Sequence, residues 1–299
     1  MPDSVAQFVR AAHADNTLRA YQADLAHFMA WGGSIPASPE QVANYLAAHA
    51  RSHAPATLAR WLVAIGKAHQ ITGYETPTSH ELVRLTLRGI RRSLPRHQVQ
   101  ARPVLAHELR QIVRAMGGDL HSLRDRALLL IGFAGAFRRS ELVGLTVANV
   151  ERTAQGMLLH LRRSKTDQLA EGRAVTIPAC EDVALCPVSA LTAWLNRAGI
   201  ANGPLFRPIN RHSQIADTAL SAESVAVTLK SRSRAAGLDP TGYSGHSLRA
   251  GFATSAVLAG VPTDTIRGQT GHKSPAMLSR YVRLSRSNAW AELAAVSAY

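Results

Sequence analysis

The last third of the chain holds side chains that could act together on a phosphate ester. His246 and Arg249 lie three residues apart, a spacing that puts them on one face of a helix. His272 follows Gly271, and Tyr281 comes nine residues later. Opening a phosphodiester without a metal or cofactor requires a nucleophile such as a phenol, cations that bind the phosphate, and an acid for the leaving oxygen. This stretch supplies a phenol, a guanidinium and two imidazoles.

Each of these side chains also has an ordinary structural explanation. Taken alone, His246 fits a hydrogen-bonded core histidine, His272 a helix cap and Tyr281 core packing. Further upstream, Arg138 is compatible with a surface ion pair, and Lys165 lies in a predicted turn where lysine commonly aids solubility. The combination in this order is far less expected by chance than any member of it.

The joint pattern resembles the tyrosine recombinases, also called the phage integrase family. The motifs that carry the resemblance are Phe137-Arg138-Arg139-Ser140-Glu141-Leu142, Ser164-Lys165-Thr166, Gly245-His246-Ser247-Leu248-Arg249 and Gly271-His272-Lys273-Ser274, followed by Tyr281. The resemblance covers the second half of the chain closely. In the first part of the chain the resemblance is weaker and depends on the pattern of Thr17, Tyr21 and Phe28, which resembles that of a helical core-binding domain.

One position departs from the family pattern. Two adjacent arginines, Arg138 and Arg139, stand where the family usually has one arginine followed by an apolar residue. The spacing to Glu141 favours Arg138, and Arg139 is the alternative.

The resemblance implies a set of roles in strand cleavage. Tyr281 would be the nucleophile and form a covalent 3′-phosphotyrosine bond that keeps the bond energy for religation. Lys165 would protonate the departing 5′ oxygen, and His246 would help to deprotonate the tyrosine and return the proton in the reverse step.

The remaining family positions would bind the phosphate. Arg138 and Arg249 would hold the two non-bridging oxygens, where charge builds in the transition state. His272 would hydrogen-bond the scissile phosphate, and Glu141 would support Arg138.

The composition indicates a polyanionic partner. The 299 residues include 34 lysines and arginines against 20 acidic residues, which gives a formal net charge of +14. Such a surface favours nucleic acid or an anionic membrane. No apolar run approaches the ~20 residues of a transmembrane helix, and residues 1–10 contain no apolar signal segment. We therefore expect a cytoplasmic protein without a membrane partner.

Metal and cofactor chemistry has little support in the sequence. The chain contains no Gly-rich phosphate loop ending in Lys-Ser/Thr, no G-x-G-x-x-G and no H-E-x-x-H motif. Cys180 and Cys186 have no second pair that would complete a zinc site, so both are interpreted as packing residues in a reducing compartment. We expect neither a metal nor a cofactor.

The first 94 residues predict four helices and no strand. Apolar residues recur at helical spacing in 16–31, in a segment opened by Pro55, and through Leu82, Leu85, Leu87 and Ile90 in 79–93. Ser38-Pro39-Glu40-Gln41 is a capping box that opens another helix to about residue 49. The resemblance implies that this is a four-helix, SAM-like core-binding domain over residues 1–94.

Residues 95–103 are predicted to be a linker, and residues 104–299 a mainly helical catalytic domain with a small antiparallel sheet. Strands are expected at 145–150, 157–161 and 174–177, and helices at 107–116, 123–133, 188–197, 222–235, from about 246 to 258 and near 288–296. The fold class is therefore mainly α, of the α+β type. The resemblance suggests that the last helix docks on a neighbouring protomer.

Basic residues around the predicted linker are candidate contacts to DNA phosphates. Arginines crowd the end of the fourth helix and the segment after it, where two domains would clamp a duplex. The candidate phosphate contacts are Arg88, Arg91, Arg92, Arg96 and Lys273.

The resulting hypothesis is a site-specific recombinase of the simple two-domain type, acting on double-stranded DNA. It would form a tetramer on synapsed DNA and pass through a Holliday junction, to integrate, excise or resolve DNA elements, with or without an accessory or partner recombinase. Two alternatives remain: a DNA-binding protein on the same fold that no longer cuts, and a type IB topoisomerase that relaxes supercoils without site preference.

Overall fold

The computed structural model describes residues 15–94, 101–161 and 172–272. The chain divides into two compact units, residues 1–99 and 100–299. The described part contains eleven α-helices and one three-stranded antiparallel sheet, which confirms the predicted mainly α class with a small sheet. The following predicted features lie outside the described residues: Arg96, Lys165, Lys273, Tyr281 and the helix near 288–296.

The first unit contains the four helices that the periodicity predicts. They are α1 (Asp15–Ala30), α2 (Pro39–His49), α3 (Pro55–Thr72) and α4 (Glu81–Ser93), with a 3-10 turn at Pro77–Ser79. The start of α2 follows the sequence signal, because the Ser38 hydroxyl accepts the backbone N–H of Gln41 at 3.2 Å. The end of α3 is set by Gly73, whose φ of 79° lies in the left-handed region that favours glycine.

Aromatic side chains form the centre of the first unit's core. Helix α1 packs on α3, and α2 packs on α4. Phe28, Tyr45 and Trp61 are all buried, and the Phe28 and Tyr45 rings meet edge to face with centroids 4.9 Å apart. Burial of these large rings supplies much of the hydrophobic stabilisation of a unit this small.

The buried face of α4 differs from the predicted one. Val83, Leu87 and Ile90 are buried, whereas Leu82 and Leu85, which belong to the predicted apolar pattern, are exposed. The spacing of four and three residues in the buried set defines the stripe that packs against the rest of the unit. The rest of the helix surface is basic. Its exposed arginines are Arg84, Arg88, Arg91 and Arg92.

An ion pair with a buried carboxylate links α1 and α3 within the first unit. Both oxygens of Asp24 accept hydrogen bonds from Arg60, at 2.7 and 2.8 Å. The Asp24 side chain is 5% exposed, whereas that of Arg60 is 52% exposed. The carboxylate therefore depends on this guanidinium for its pairing.

Arg60→Ala is expected to destabilise the first unit by about 2 kcal/mol, because it leaves a buried carboxylate unpaired while solvent screens the other half of the pair. Equilibrium urea unfolding would measure the change. The control is Lys67→Ala, which removes an exposed cation from the same helix. A loss no larger than that of the control would contradict the prediction.

The second unit carries the remaining helices and the sheet. Its helices are α5 (Ala106–Arg114), α6 (Leu120–Ala134), α7 (Arg139–Val143), α8 (Pro187–Ala198), α9 (Ala222–Ala235), α10 (Ser247–Leu258) and α11 (Thr263–Thr270). Helix α6 is buried along most of its length and packs against α8 and α10. None of the helices in the described ranges is long and apolar enough to cross a membrane.

The sheet consists of β1 (Val150–Thr153), β2 (Gly156–Leu161) and β3 (Arg173–Pro178), in that order. Strands β2 and β3 are antiparallel, and Leu161 at the end of β2 is paired with Arg173 at the start of β3. The segment that contains Lys165 therefore connects two residues that are neighbours across the ladder.

The predicted strand over 145–150 is wrong for most of its length. A 3-10 turn occupies Val147–Asn149, and β1 begins only at Val150. The Asn149 side chain explains the difference, since its Oδ1 accepts both the backbone N–H and the hydroxyl of Thr146, at 2.8 and 2.7 Å. This local bonding competes with a strand ladder.

The last residues of the predicted linker pack on the second unit. The backbone N–H of Arg102 donates to the carbonyl of Gly242 at 2.9 Å, and that of Val104 donates to Ser247 at 3.0 Å. The Arg102 guanidinium pairs with the buried Glu108 and lies 5.0 Å from the centre of the Tyr243 ring. The chain thus joins the second unit beside the start of α10.

Candidate active site

Arg138 and Glu141 form an ion pair at the start of α7. One Glu141 oxygen accepts Nη1 of Arg138 at 2.5 Å, and the other accepts the backbone N–H of Arg138 at 2.9 Å. The Glu141 side chain is only 4% exposed, and that of Arg138 is 18% exposed. The three-residue spacing places the carboxylate so that it fixes both the helix start and the guanidinium.

Arg249 joins the same region from α10. It is buried, and its Nη1 donates to the backbone carbonyl of Ala136 at 2.8 Å. Ala136 has a φ of 48°, a left-handed conformation that is uncommon for a residue with a side chain. Arg249 therefore contacts the turn that leads into Arg138, which lies two residues after Ala136.

His272 is held just after α11. The helix ends at Gly271, whose φ of 66° reverses the chain direction. The buried His272 ring lies with Nδ1 2.8 Å from the hydroxyl of Thr270. The orientation of the imidazole is thus set by the last turn of the helix that precedes it.

The end of α11 is anchored to two other elements of the unit. The side-chain amide of Gln269 donates to the carbonyl of Ala134 at 2.7 Å and to that of Thr176 at 2.8 Å. These bonds connect α11 to the end of α6 and to β3.

Arg173, at the start of β3, is part of this cluster, although its place in the sequence does not predict it. Its Nη2 lies 3.5 Å from Glu141 Oε2, and its side chain is 19% exposed. Burial lowers the pKa of Arg173, with Glu141 opposing the change and Arg138 adding to it. The sequence offers only an arginine at the start of a predicted strand, which is no signal of a buried site.

His246 lies outside the buried part of the site. The prediction placed it on a helix with Arg249, but α10 begins at Ser247, and His246 is the residue before its first turn. The serines around it set the turn: the His246 N–H donates to the Ser244 hydroxyl at 3.1 Å, and the Ser244 N–H donates to Ser247 at 2.8 Å. His246 is consequently exposed, whereas Arg249 is buried one turn later.

The cluster carries a surplus of positive charge. Burial, followed by the charges of Arg249, Arg138 and Arg173, lowers the pKa of His272 from 6.5 to about 4. The imidazole is therefore neutral at pH 7. Of the three guanidinium groups that act on it, Arg138 and Arg173 pair with the carboxylate of Glu141. Such a site favours an anionic ligand with several oxygens.

Comparison with known proteins identifies the family. Residues 103–288 match the model of the phage integrase family. The chain belongs to this family.

Two curated relatives extend the match beyond that segment. An integrase/recombinase XerD homolog of Selenomonas ruminantium is 40% identical over 278 residues, covering 90% of this chain and 82% of that protein. Recombinase Cre of Escherichia phage P1 is 27% identical over 270 residues, covering 83% of this chain and 77% of that protein. The chain is thus a site-specific DNA recombinase of the tyrosine class.

The fold agrees with this assignment. A crystal structure of a lambda integrase tetramer bound to a Holliday junction superimposes with a TM-score of 0.59 at 19% identity, covering 90% of this chain and 72% of that one. At this level of identity the likeness concerns the fold alone.

In the structure of the recombinase, the two adjacent arginines have different surroundings. The side chain of Arg139 packs on the backbone of Gly245, where an added Cβ would lie only 1.7 Å from the arginine Cδ. Arg138 instead pairs with Glu141 and contributes to the low pKa of His272. This arrangement places Arg138, and not Arg139, beside Glu141.

The low pKa of His272 predicts a loss of stability in acid. Between pH 6.5 and about 4, the unfolded recombinase binds a proton at His272 that the folded state does not bind. The contribution of His272 to stability is therefore complete above pH 6.5 and decreases as the pH falls, by at most about 1.4 kcal/mol per pH unit.

Urea unfolding between about pH 4.5 and pH 7.5 would test this dependence. His272→Gln should flatten the decline, whereas His107→Gln, which replaces an exposed histidine on α5, should leave it unchanged. Equal slopes for the wild type and His272→Gln would contradict the prediction.

Proposed function

We propose that the buried cluster around Glu141 binds the scissile phosphate of the recombination site. The observation that carries this proposal is a set of contacts: Arg138 pairs with Glu141, Arg249 bonds the carbonyl of Ala136 two residues before Arg138, and Arg173 links Glu141 to the turn before His272. The guanidiniums of Arg138 and Arg249 would bind the non-bridging oxygens, and the neutral imidazole of His272 would add a hydrogen bond rather than a charge. Each preorganised donor of this kind contributes roughly 3 kcal/mol to transition-state stabilisation.

In the proposed cleavage step, the phenolic oxygen of Tyr281 attacks the scissile phosphorus. The new phosphorus–oxygen bond forms as the bond to the 5′ oxygen breaks, and Lys165 donates a proton to that leaving oxygen. The exposed His246 accepts the tyrosine proton and returns it during religation. Because the phosphotyrosine keeps the bond energy, the reaction balances without ATP and requires no metal.

Tyr281→Phe is expected to abolish the covalent protein–DNA adduct while DNA binding persists, because the variant lacks only the nucleophilic oxygen. The assay uses a suicide DNA duplex that contains the end sequences of the DNA element on which the recombinase acts. The reaction is run in EDTA, and mass spectrometry locates the adduct on the protein. The matched control is Tyr74→Phe, which changes an exposed tyrosine in the first unit and should leave the adduct intact.

Three results would contradict the proposal. They are an adduct that persists in Tyr281→Phe, an adduct that forms equally on unrelated sequences, and an adduct that requires a divalent metal. The second result would instead favour a topoisomerase.

We further propose that residues 1–94 form the core-binding domain, residues 95–103 the linker and residues 104–299 the catalytic domain. The basic surface of α4 supports a role in DNA binding, because Arg88, Arg91 and Arg92 are all exposed there. Arg96 and Lys273 are proposed as additional phosphate contacts from their positions in the sequence.

Replacing the three exposed arginines Arg88, Arg91 and Arg92 with alanine is expected to weaken DNA binding and to reduce the slope of log K against log salt by about 0.9 for each lost phosphate contact. Fluorescence anisotropy at several salt concentrations would measure the slope. The control is Arg84→Ala on the same helix, where the guanidinium is already paired with Glu81 at 3.3 Å. An equal reduction in the control would contradict a specific role for the three arginines.

We propose that the recombinase acts on double-stranded DNA as a tetramer that passes through a Holliday junction, in integration, excision or resolution of DNA elements. The fold similarity to a tetramer bound to such a junction supports this assembly. The bacterial and phage origins of the relatives support action in the cytoplasm, where the DNA substrate is located. A partner recombinase or accessory protein would be detected by comparing recombination with and without host extract.

A further inference from the structure

Arg173 is a largely buried cation that the proposed reaction does not use directly. Its side chain is 19% exposed. Placing a guanidinium in such surroundings is unfavourable unless its N–H groups have partners. The partners of Arg173 therefore indicate what the residue does.

One end of the Arg173 guanidinium caps α11. Its Nη1 donates to the carbonyl of Gln269 at 2.7 Å and to that of Gly268 at 3.3 Å. Both carbonyls lie in the last turn of the helix, where no later helical N–H can satisfy them. A cation at this position also interacts favourably with the helix dipole.

The same guanidinium rests on the backbone directly before His272. A Cβ added at Gly271 would lie 3.0 Å from Cζ and 3.1 Å from Nη1 of Arg173. Glycine is therefore favoured at this position both by its left-handed φ of 66° and by the close approach of the arginine. Arg173 thus fixes the turn that delivers His272.

The other end of the guanidinium faces Glu141. Nη2 lies 3.5 Å from Glu141 Oε2, the oxygen that also accepts the backbone N–H of Arg138. Among the described residues, Nη2 and Nε of Arg173 have no hydrogen-bond acceptor, so Nη2 interacts with the carboxylate as an ion pair without a well-aligned hydrogen bond. Glu141 is shared by two arginines.

We propose that Arg173 is a positioning residue for strand cleavage, which holds the Glu141–Arg138 pair and the His272 turn in a single arrangement. Its guanidinium contacts both Glu141 and the last turn of α11. Because Arg173 begins β3, it also connects this arrangement to the sheet. The inference rests on the proposed function, since it assumes that Arg138 and His272 contact the scissile phosphate.

The test compares Arg173→Ala and Arg173→Lys with the wild type in single-turnover cleavage of the suicide duplex at saturating protein. Arg173→Ala should reduce the cleavage rate by about 10²-fold, the typical cost of displacing reacting groups by an ångström. The Kd for DNA and the melting temperature should change little. Arg173→Lys should recover part of the rate, because lysine keeps the charge and can cap α11 but cannot bond at two ends.

The NMR titration of the His272 ring provides a readout that a purely structural role would not produce. The charged groups facing His272 are Arg249, Arg138 and Arg173, from α10, the start of α7 and β3. Arg173→Ala removes one of these charges and should raise the pKa of His272, whereas Arg173→Lys should leave it low. The control is Arg152→Ala, which removes an exposed arginine from β1 of the same sheet and should change neither rate nor pKa.

Several outcomes would overturn the inference. One is cleavage by Arg173→Ala within a few-fold of the wild-type rate, and another is an unchanged His272 pKa in that variant. A parallel loss of melting temperature, DNA affinity and cleavage in both Arg173 variants would indicate a structural role instead. If the wild type itself forms no adduct at Tyr281, the proposed function fails, which is distinct from a failure confined to Arg173.

Discussion

The buried carboxylate of Glu141 is the group on which the arrangement of the active site depends. It accepts hydrogen bonds from both the backbone and the side chain of Arg138, and it faces Arg173 across the site. Without this charge, two guanidiniums would repel each other in surroundings that screen charge poorly. A single negative charge therefore allows several cations to be preassembled before DNA arrives.

The cluster therefore carries an excess of positive charge as long as no anion is bound. One carboxylate does not neutralise Arg138, Arg173 and Arg249, and burial together with the surplus positive charge lowers the pKa of His272 and keeps it neutral at pH 7. In the proposed reaction, a phosphodiester would bring the missing negative charge and oxygens for the donors. Because the donors are already in place, little reorganisation would be needed as charge develops on the phosphate.

Backbone conformation places the donors within reach of one another. The turn before α7 places Ala136 in the left-handed region, and its carbonyl accepts Arg249. At the other edge of the site, Gly271 reverses the chain so that His272 is buried beside the arginines. These conformations are stabilised by side chains from distant segments, which connects catalytic geometry to the packing of the second unit.

The sequence by itself determined the four helices of the first unit, five of the helices described in the second and the candidate site residues, but not α7 or α11, and tertiary structure decided which of these parts meet. The Ser38 cap and the three-residue spacing of Arg138 and Glu141 involve neighbours along the chain, so they can be predicted from the sequence. The buried face of α4 and the turn at Val147–Asn149 depended on packing and local side-chain bonding that periodicity does not encode. Arg173 acquires its role only because folding brings β3, α7 and α11 together over separations of about thirty to a hundred residues, and no pattern of spacing reports such contacts.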